Sequence, residues 1–473
     1  MKLTSGEIAQ AVNAVGQSRV SDAVPSGYSI DSRTLSPGEC FIAIRGKNFD
    51  GHQFIPEALS KGASLVIADS NSAFTEDRVP AIHVEDTLVA LQSLARYSRQ
   101  KWGRRIIGIT GSTGKTTTKE ITAFALGTHF RVFKSIGNFN NQYGLPLSLL
   151  KLEERHDIAV MELGMSAPGE ICKLSGIAQP DIGVVTNVRP VHLEFLKTLE
   201  GIAKAKRELI EALPKSGTAI LNNDDVRVRK FARIFPGEIL TYGIAAAAGY
   251  RGWQVRNLGL NGCDFVLDFR GKSFPFQSPL IGVHNLYNCL PAIVVAHHLG
   301  LDFGIIRKTL AQVKPFSGRG EILHFTDGFS VINDSYNSNP ASLQAMMEAL
   351  KCVSDYQRKI LFAGEMLELG ERSPEFHRQC GTLAAKFKLD IIVGVRGHAI
   401  QLVEAARRLG YPESRAIFFE DVTIAGNWLS KCVRPRDLIL VKGSRGVRTE
   451  LAIERLRADH PQTWNSTPPT FGK

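Results

Sequence analysis

Apolar residues in this chain gather in short, nearly continuous runs, separated by stretches where they recur with helical spacing. From residue 104 onward the runs at 106–110, 157–163, 181–187 and 218–221 read as strands covered on both faces. Their alternation with helical stretches predicts a parallel sheet flanked by helices. Around 250–280 the pattern changes to strict alternation, as in Gln254-Val-Arg-Asn and Asp264-Phe-Val-Leu-Asp-Phe, which predicts an antiparallel excursion. A helix after Asn285 and a loop near 315–320 close this block. A third block begins near Glu321, where apolar runs at 331–334, 359–363, 390–394 and 437–441 again alternate with helical patterns. The first hundred residues carry apolar runs at 40–44 and 64–68 and helical patterns at 54–61 and 87–98. The expected fold is α/β in three domains: a small α/β domain over 1–101, a central parallel-sheet domain over 102–318, and a doubly wound domain over 319–462. Residues 463–473, with two consecutive prolines and no periodicity, read as a loose tail.

One junction between strand and helix carries chemistry. Arg105-Ile-Ile-Gly-Ile-Thr-Gly-Ser-Thr-Gly-Lys-Thr-Thr-Thr-Lys-Glu120 reads as a buried strand, a glycine-rich turn, and a helix opened by Lys115-Thr116. A bound phosphate needs backbone N–H groups at close range, which side chains at Gly111 and Gly114 would obstruct. It also needs a cation (Lys115), a hydroxyl for a divalent metal (Thr116 or Thr117), and a helix N-terminus aimed at it. The match to the general phosphate-loop pattern is incomplete, because Ile109 occupies the first glycine position. The stretch still points to a protein that binds a nucleoside triphosphate.

Composition narrows the class. The chain has 473 residues, 44% hydrophobic and 22% charged, which suits globular domains with cores of their own. No apolar run is long enough to span a bilayer, and Met1-Lys-Leu-Thr-Ser-Gly-Glu7 has no apolar leader segment. Seven cysteines without a C-x-x-C pair suit reduced thiols in the cytoplasm and argue against a zinc ribbon. The net charge of +11 invites a nucleic-acid reading. The basic residues are dispersed, however, so anionic small molecules are the expected partners, with neither nucleic acid nor membrane insertion.

Other candidates lie at the carboxyl ends of the apolar runs, where open parallel sheets hold ligands. Glu162 ends one run and His192 follows the next; together they could converge on the metal of a nucleotide. Asp334 ends an apolar run before Ser335-Tyr-Asn-Ser-Asn-Pro340. Lys442-Gly-Ser-Arg-Gly446 has the look of an anion-binding turn. Lys206, within Ala203-Lys-Ala-Lys-Arg-Glu208, reads by itself as part of a solvated basic helical face.

Taken together, these stretches resemble the Mur ligase family, ATP-dependent amino-acid ligases of peptidoglycan precursor synthesis. Gly111-Ser-Thr-Gly-Lys-Thr116 is similar to that family's shortened phosphate loop, and Gly282-x-His284-Asn285-x-x-Asn288 and Gly318-Arg319 match further motifs. Asp31-Ser-Arg33 and Asp50-Gly-His52 resemble the family's UDP-binding N-terminal domain. Gly137-Asn-Phe-Asn-Asn141, Asn333-Asp-Ser-Tyr-Asn-Ser-Asn-Pro340, Gly364-Glu-Met-Leu-Glu-Leu-Gly370 and Val441-Lys-Gly-Ser-Arg-Gly446 resemble the member that adds D-alanyl-D-alanine. Asn333 and Glu365 stand where many members have Asp.

The resemblance implies roles residue by residue. Gly111, Ser112, Thr113, Gly114, Lys115, Thr116 and Thr117 would hold ATP, with Asn285, Arg319 and Asp334. Thr116, Glu162 and His192 would hold Mg²⁺, joined by Lys206 if it becomes carbamylated; Lys115, Lys206, His192 and Glu162 would form the catalytic set. Ser32, Arg33, Asp50, Gly51 and His52 would bind the UDP-linked substrate, and Asn138, Asn141, Tyr336 and Asn337 the dipeptide. A cytoplasmic monomer is expected, adding D-alanyl-D-alanine to UDP-N-acetylmuramoyl-tripeptide through an acyl phosphate. Within the superfamily, the third-residue-adding ligase and folylpolyglutamate synthetases are the rival readings, and a phosphate-loop ATPase stimulated by nucleic acid is a rival of another class.

Overall fold

The computed structural model of the protein describes residues 1–15, 23–46, 49–72, 80–191 and 193–463. Its strands form three sheets. The first holds β1 (Tyr28–Ser29), β2 (Cys40–Ile42), β3 (Leu65–Asp69) and β4 (Ala81–Val84), parallel and in chain order. The helical pattern at 54–61 resolves into a short 3₁₀ turn over Gly51–Phe54 and a helix over Ile55–Ser60. The helix Thr87–Trp102 is capped by Asp86 and ends at Gly103 in the left-handed conformation. It joins this sheet to the next. Its apolar face shares one core with Leu145, Leu149, Ile171 and Leu174, and buried Arg99 donates to the carbonyls of Ala178 and Gln179.

The second sheet has nine strands: β5 (Arg105–Thr110), β6 (Val132–Lys134), β7 (Ile158–Glu162), β8 (Ile182–Val185), β9 (Thr218–Asn222), β10 (Glu238–Gly243), β11 (Tyr250–Asn257), β12 (Cys263–Phe269) and β13 (Lys272–Ser278). Their order is β13-β12-β11-β10-β9-β8-β5-β7-β6. The β11–β12 and β12–β13 pairs are antiparallel and all others parallel, as the alternating pattern predicted. Strand β5 lies between β7 and β8, so the connections leaving it and its two neighbours open onto one crevice. Every residue of β7, β8 and β9 is buried, which is why these runs lack alternation.

The third sheet holds β14 (Glu321–His324), β15 (Ser330–Asp334), β16 (Arg358–Gly364), β17 (Ile391–Val395), β18 (Ala416–Phe419) and β19 (Asp437–Lys442) in the order β14-β15-β19-β16-β17-β18. Only the edge strand β14 is antiparallel. The ends of β15 and β19 are adjacent, with Asp334 opposite Lys442 in register. Thr463 donates its backbone N–H to the His324 carbonyl at the edge of this sheet. The rest of the expected tail, 464–473, lies outside the described residues. No described helix is long and apolar enough to cross a membrane.

Candidate active site

A cleft of about 1450 Å³ lies between the carboxyl ends of the second and third sheets. The phosphate loop forms its floor. The helix Lys115–Leu126 starts directly from Gly114, whose φ of +81° suits glycine. A Cβ there would come within 2.1 Å of Asn288 Oδ1. Gly114→Ala should therefore weaken binding of ATP about tenfold or more in calorimetry by pushing Asn288 and the loop apart. Unchanged affinity would show that the loop does not bind phosphate.

Residues after β8 clamp the loop. The Ser112 and Thr113 backbone N–H groups donate to the carbonyl and Oδ1 of Asn187 at 3.0 and 3.1 Å, and Thr186 Oγ1 donates to the Thr113 carbonyl at 2.6 Å. Lys115 is half-buried and its ammonium donates to the Gly111 carbonyl at 2.9 Å. Burial lowers its pKa, with Glu162 opposing that shift. Thr116 Oγ1 donates to Glu162 Oε2 at 2.8 Å and receives Arg319 Nη2 at 3.3 Å, so Thr116, rather than Thr117, is the hydroxyl that meets the acid ending β7. Glu162 is 2% exposed; its Oε1 accepts from Asn140 Nδ2 at 2.8 Å.

The third sheet supplies the opposite wall. Asp334 and Lys442 form a buried ion pair at 2.5 Å, and Lys442 also donates to the Asn337 carbonyl at 2.9 Å. Lys442 is thus held by protein groups while still lining the cleft, together with Ser444, Arg445 and Gly446 of that turn. Tyr336 stacks under the Arg319 guanidinium at 4.1 Å. Asn285, Arg319, Asp334, Asn138, Asn141 and Asn337 all line the cleft. His284 lines it too; burial, partly opposed by Asp334, holds its ring down to about 4, and its Nδ1 has no hydrogen-bond partner among the described residues.

Lys206 departs from the bare sequence reading. It is 2% exposed rather than solvated, because the helix Leu199–Glu211 turns that face onto the central core. Burial drives its pKa far down, and the positive charge of Lys115 pushes in the same direction. His192 lies outside the described residues; its neighbour Val191 lines the cleft.

The N-terminal candidates do not line this cleft and make two separate sets of contacts. Asp50 accepts from the His52 backbone at 3.1 Å and from its ring at 2.6 Å, while His52 Nε2 accepts the Asp69 N–H at 2.9 Å. Ser32 Oγ donates to Glu57 at 2.8 Å, and Arg33 pairs with Asp31. Gly51 lies against the Ile44 backbone.

Family models match most of the chain: a "Mur ligase family, catalytic domain" over 25–99, a "Mur ligase middle domain" over 109–296, and a "Mur ligase, glutamate ligase domain" over 318–445. The chain belongs to the Mur ligase family. Among individual relatives, this ligase is 34% identical to the UDP-N-acetylmuramoyl-tripeptide–D-alanyl-D-alanine ligase of Bacillus subtilis, over 96% of this chain and 98% of that protein. Of solved structures, MurF from Acinetobacter baumannii superposes with a TM-score of 0.87 at 28% identity, covering 97% of this ligase and 99% of that chain. The MurF ligase from Thermotoga maritima in complex with ADP superposes with a TM-score of 0.78 at 31% identity, covering 92% and 97%. The ligase uses ATP.

Sequence reasoning missed Lys119, Asn140 and Asn187. Asn140 sat unselected inside Gly137-Asn-Phe-Asn-Asn141, where nothing distinguishes three asparagines until their directions are known.

Proposed function

We infer that this protein is an ATP-dependent, ADP-forming amide ligase that joins D-alanyl-D-alanine to UDP-N-acetylmuramoyl-tripeptide in peptidoglycan precursor synthesis. The observation that carries this reading is one cleft lined by Lys115, Thr116 and Glu162 from the second sheet and Arg319, Asp334 and Tyr336 from the segment that begins the third.

A carboxylate does not acylate an amine at neutral pH, because its oxygen is a poor leaving group. In the first step the tripeptide's terminal carboxylate oxygen attacks the γ-phosphorus of ATP, and ADP leaves. In the second, the dipeptide's amine attacks the acyl phosphate, losing a proton and expelling phosphate as the amide forms. Two anions meet in the first step, and Lys115, Arg319 and the N-terminus of the helix Lys115–Leu126 would offset their charge. Closure of the third sheet over the second keeps the acyl phosphate from water.

The residues suit a divalent ion. Thr116 Oγ1 and Glu162 Oε2 are hard oxygen donors in mutual contact. A hard cation such as Mg²⁺ held by these oxygens would take the rest of its shell from phosphate and water oxygens as well as from further protein ligands. Bound there, it would neutralise phosphate charge; Thr116, Glu162 and, from the sequence, His192 would hold it. The buried amine of Lys206 supports carbamylation, since only the neutral amine adds CO₂. The cluster around Asp50 and His52 supports a UDP site on the first sheet, and the Asn138, Asn141, Tyr336 and Asn337 positions support a dipeptide site in the cleft. Three sheets support a division at 1–101, 102–318 and 319–462. A cleft completed by one chain favours a monomer, and soluble nucleotide-linked substrates favour the cytoplasm.

The direct test measures phosphate release from ATP and Mg²⁺ with the UDP-linked tripeptide, with and without D-alanyl-D-alanine. Release that requires the dipeptide, with one dipeptide added to the product mass, is the expected result. Release without that product, or only with another amino acid, would redirect the assignment within the superfamily.

A further inference from the structure

The charged and amide groups around Glu162 form a closed path between the phosphate loop and a loop on the cleft wall. It starts at Lys119, one turn along the helix from Lys115 and fully buried. A buried ammonium is kept only where its protons are satisfied. Lys119 donates to the carbonyls of Ser135 and Gly137 at 2.7 and 3.2 Å and lies 3.3 Å from Glu120. These bonds anchor the start of the 135–143 loop. Ser135 Oγ accepts the Glu162 N–H at 3.2 Å, and Asn140 Nδ2 donates to Glu162 Oε1 at 2.8 Å. Glu162 Oε2 then returns the path to the helix through Thr116.

Asn140 is seated firmly. Gly164 donates its N–H to the Asn140 carbonyl at 2.8 Å, and a Cβ on Gly164 would come within 2.7 Å of the Asn140 side chain. The amide therefore lies where only glycine leaves room, with its donor aimed at the carboxylate.

We propose that Asn140 is a positioning residue that fixes the Glu162 carboxylate for a nucleotide-bound divalent ion and, through that bond, couples the nucleotide side of the cleft to the loop carrying Asn138 and Asn141. This rests on the reading of Glu162 as a metal ligand. Groups that orient a ligand carboxylate typically change metal affinity about 10- to 100-fold when removed. Because coupling is reciprocal, metal and nucleotide must in turn steady the loop.

The test is calorimetric binding of a non-hydrolysable ATP analogue with Mg²⁺ and with EDTA, together with hydrogen exchange of residues 135–141. Asn140→Ala should lose about tenfold of the Mg²⁺-dependent gain in affinity while leaving affinity in EDTA unchanged. It should also abolish the slowing of exchange that Mg²⁺ and analogue cause in the wild-type loop. Ile136→Ser, on the same loop with a side chain 54% exposed, should preserve both responses and so separates positioning from general loosening. Glu162→Gln should remove the Mg²⁺ gain altogether. If it does but Asn140→Ala keeps the full gain and the slowed exchange, the proposal is overturned while the role of Glu162 stands. If Glu162→Gln keeps the gain, the metal-ligand reading itself is overturned.

Discussion

Lys115→Ala should reduce dipeptide-dependent ligation by about a thousandfold or more, with circular dichroism and thermal midpoint close to wild type. The side chain donates to the Gly111 carbonyl within its own loop and is half-buried in the cleft, so its loss should cost the fold little. Its loss costs the reaction much. In the first step an anionic carboxylate approaches a triphosphate, and the Lys115 ammonium is the cation that the phosphate loop itself places at the floor of the cleft. Glu162, already held by Thr116 and Asn140, would face the phosphates with one positive charge fewer. The check is steady-state product formation at saturating ATP alongside nucleotide affinity. Turnover near wild type would remove the phosphate loop from the mechanism.

Lys206→Ala should lose about two to three orders of magnitude of activity, and short carboxylic acids such as acetate should restore part of it. The reason is electrostatic. A lysine buried near Lys115 and left as an ammonium would pay for desolvation and repulsion together, and both lower its pKa. In its neutral form the amine would attack CO₂: a C–N bond would form, a proton would go to solvent, and a carbamate anion would replace the cation. Attraction to Lys115 and to a divalent ion would then take the place of repulsion. Because burial and Lys115 lower its pKa, more of the amine is neutral at a given pH than for a solvated lysine, so the carbamate should form more readily, and activity lost on CO₂ depletion should return with bicarbonate at constant pH. Full activity in Lys206→Ala would exclude the residue from the site; lost activity that no carboxylate restores would point to packing instead.

Much of the fold was legible because burial on both faces of a parallel sheet leaves continuous apolar runs. Strands β5, β7, β8, β9, β15, β16, β17 and β19 all coincide with such runs, and the antiparallel β11–β13 with the alternating stretch. Strands β6, β10 and β18 were not legible. They are short or partly exposed, and their residues gain strand geometry from neighbours rather than from a pattern of their own. The phosphate loop was legible for a local reason, since the glycines, lysine and threonine that bind phosphate are consecutive.

The sequence by itself determined the three α/β blocks, the phosphate loop and the family resemblance, because each depends on residues close together in the chain or on motifs in fixed order. Only the tertiary structure decided which charges are buried and which groups meet. Lys206 has the same local pattern as a solvated basic face, yet helix orientation turns it inward against the core. Asp334 and Lys442 are distant in sequence and meet because β15 and β19 are neighbours in the sheet. Asn140 reaches Glu162 because a glycine at 164 leaves room for it. Burial and direction are properties of packing between segments, and no single segment encodes them.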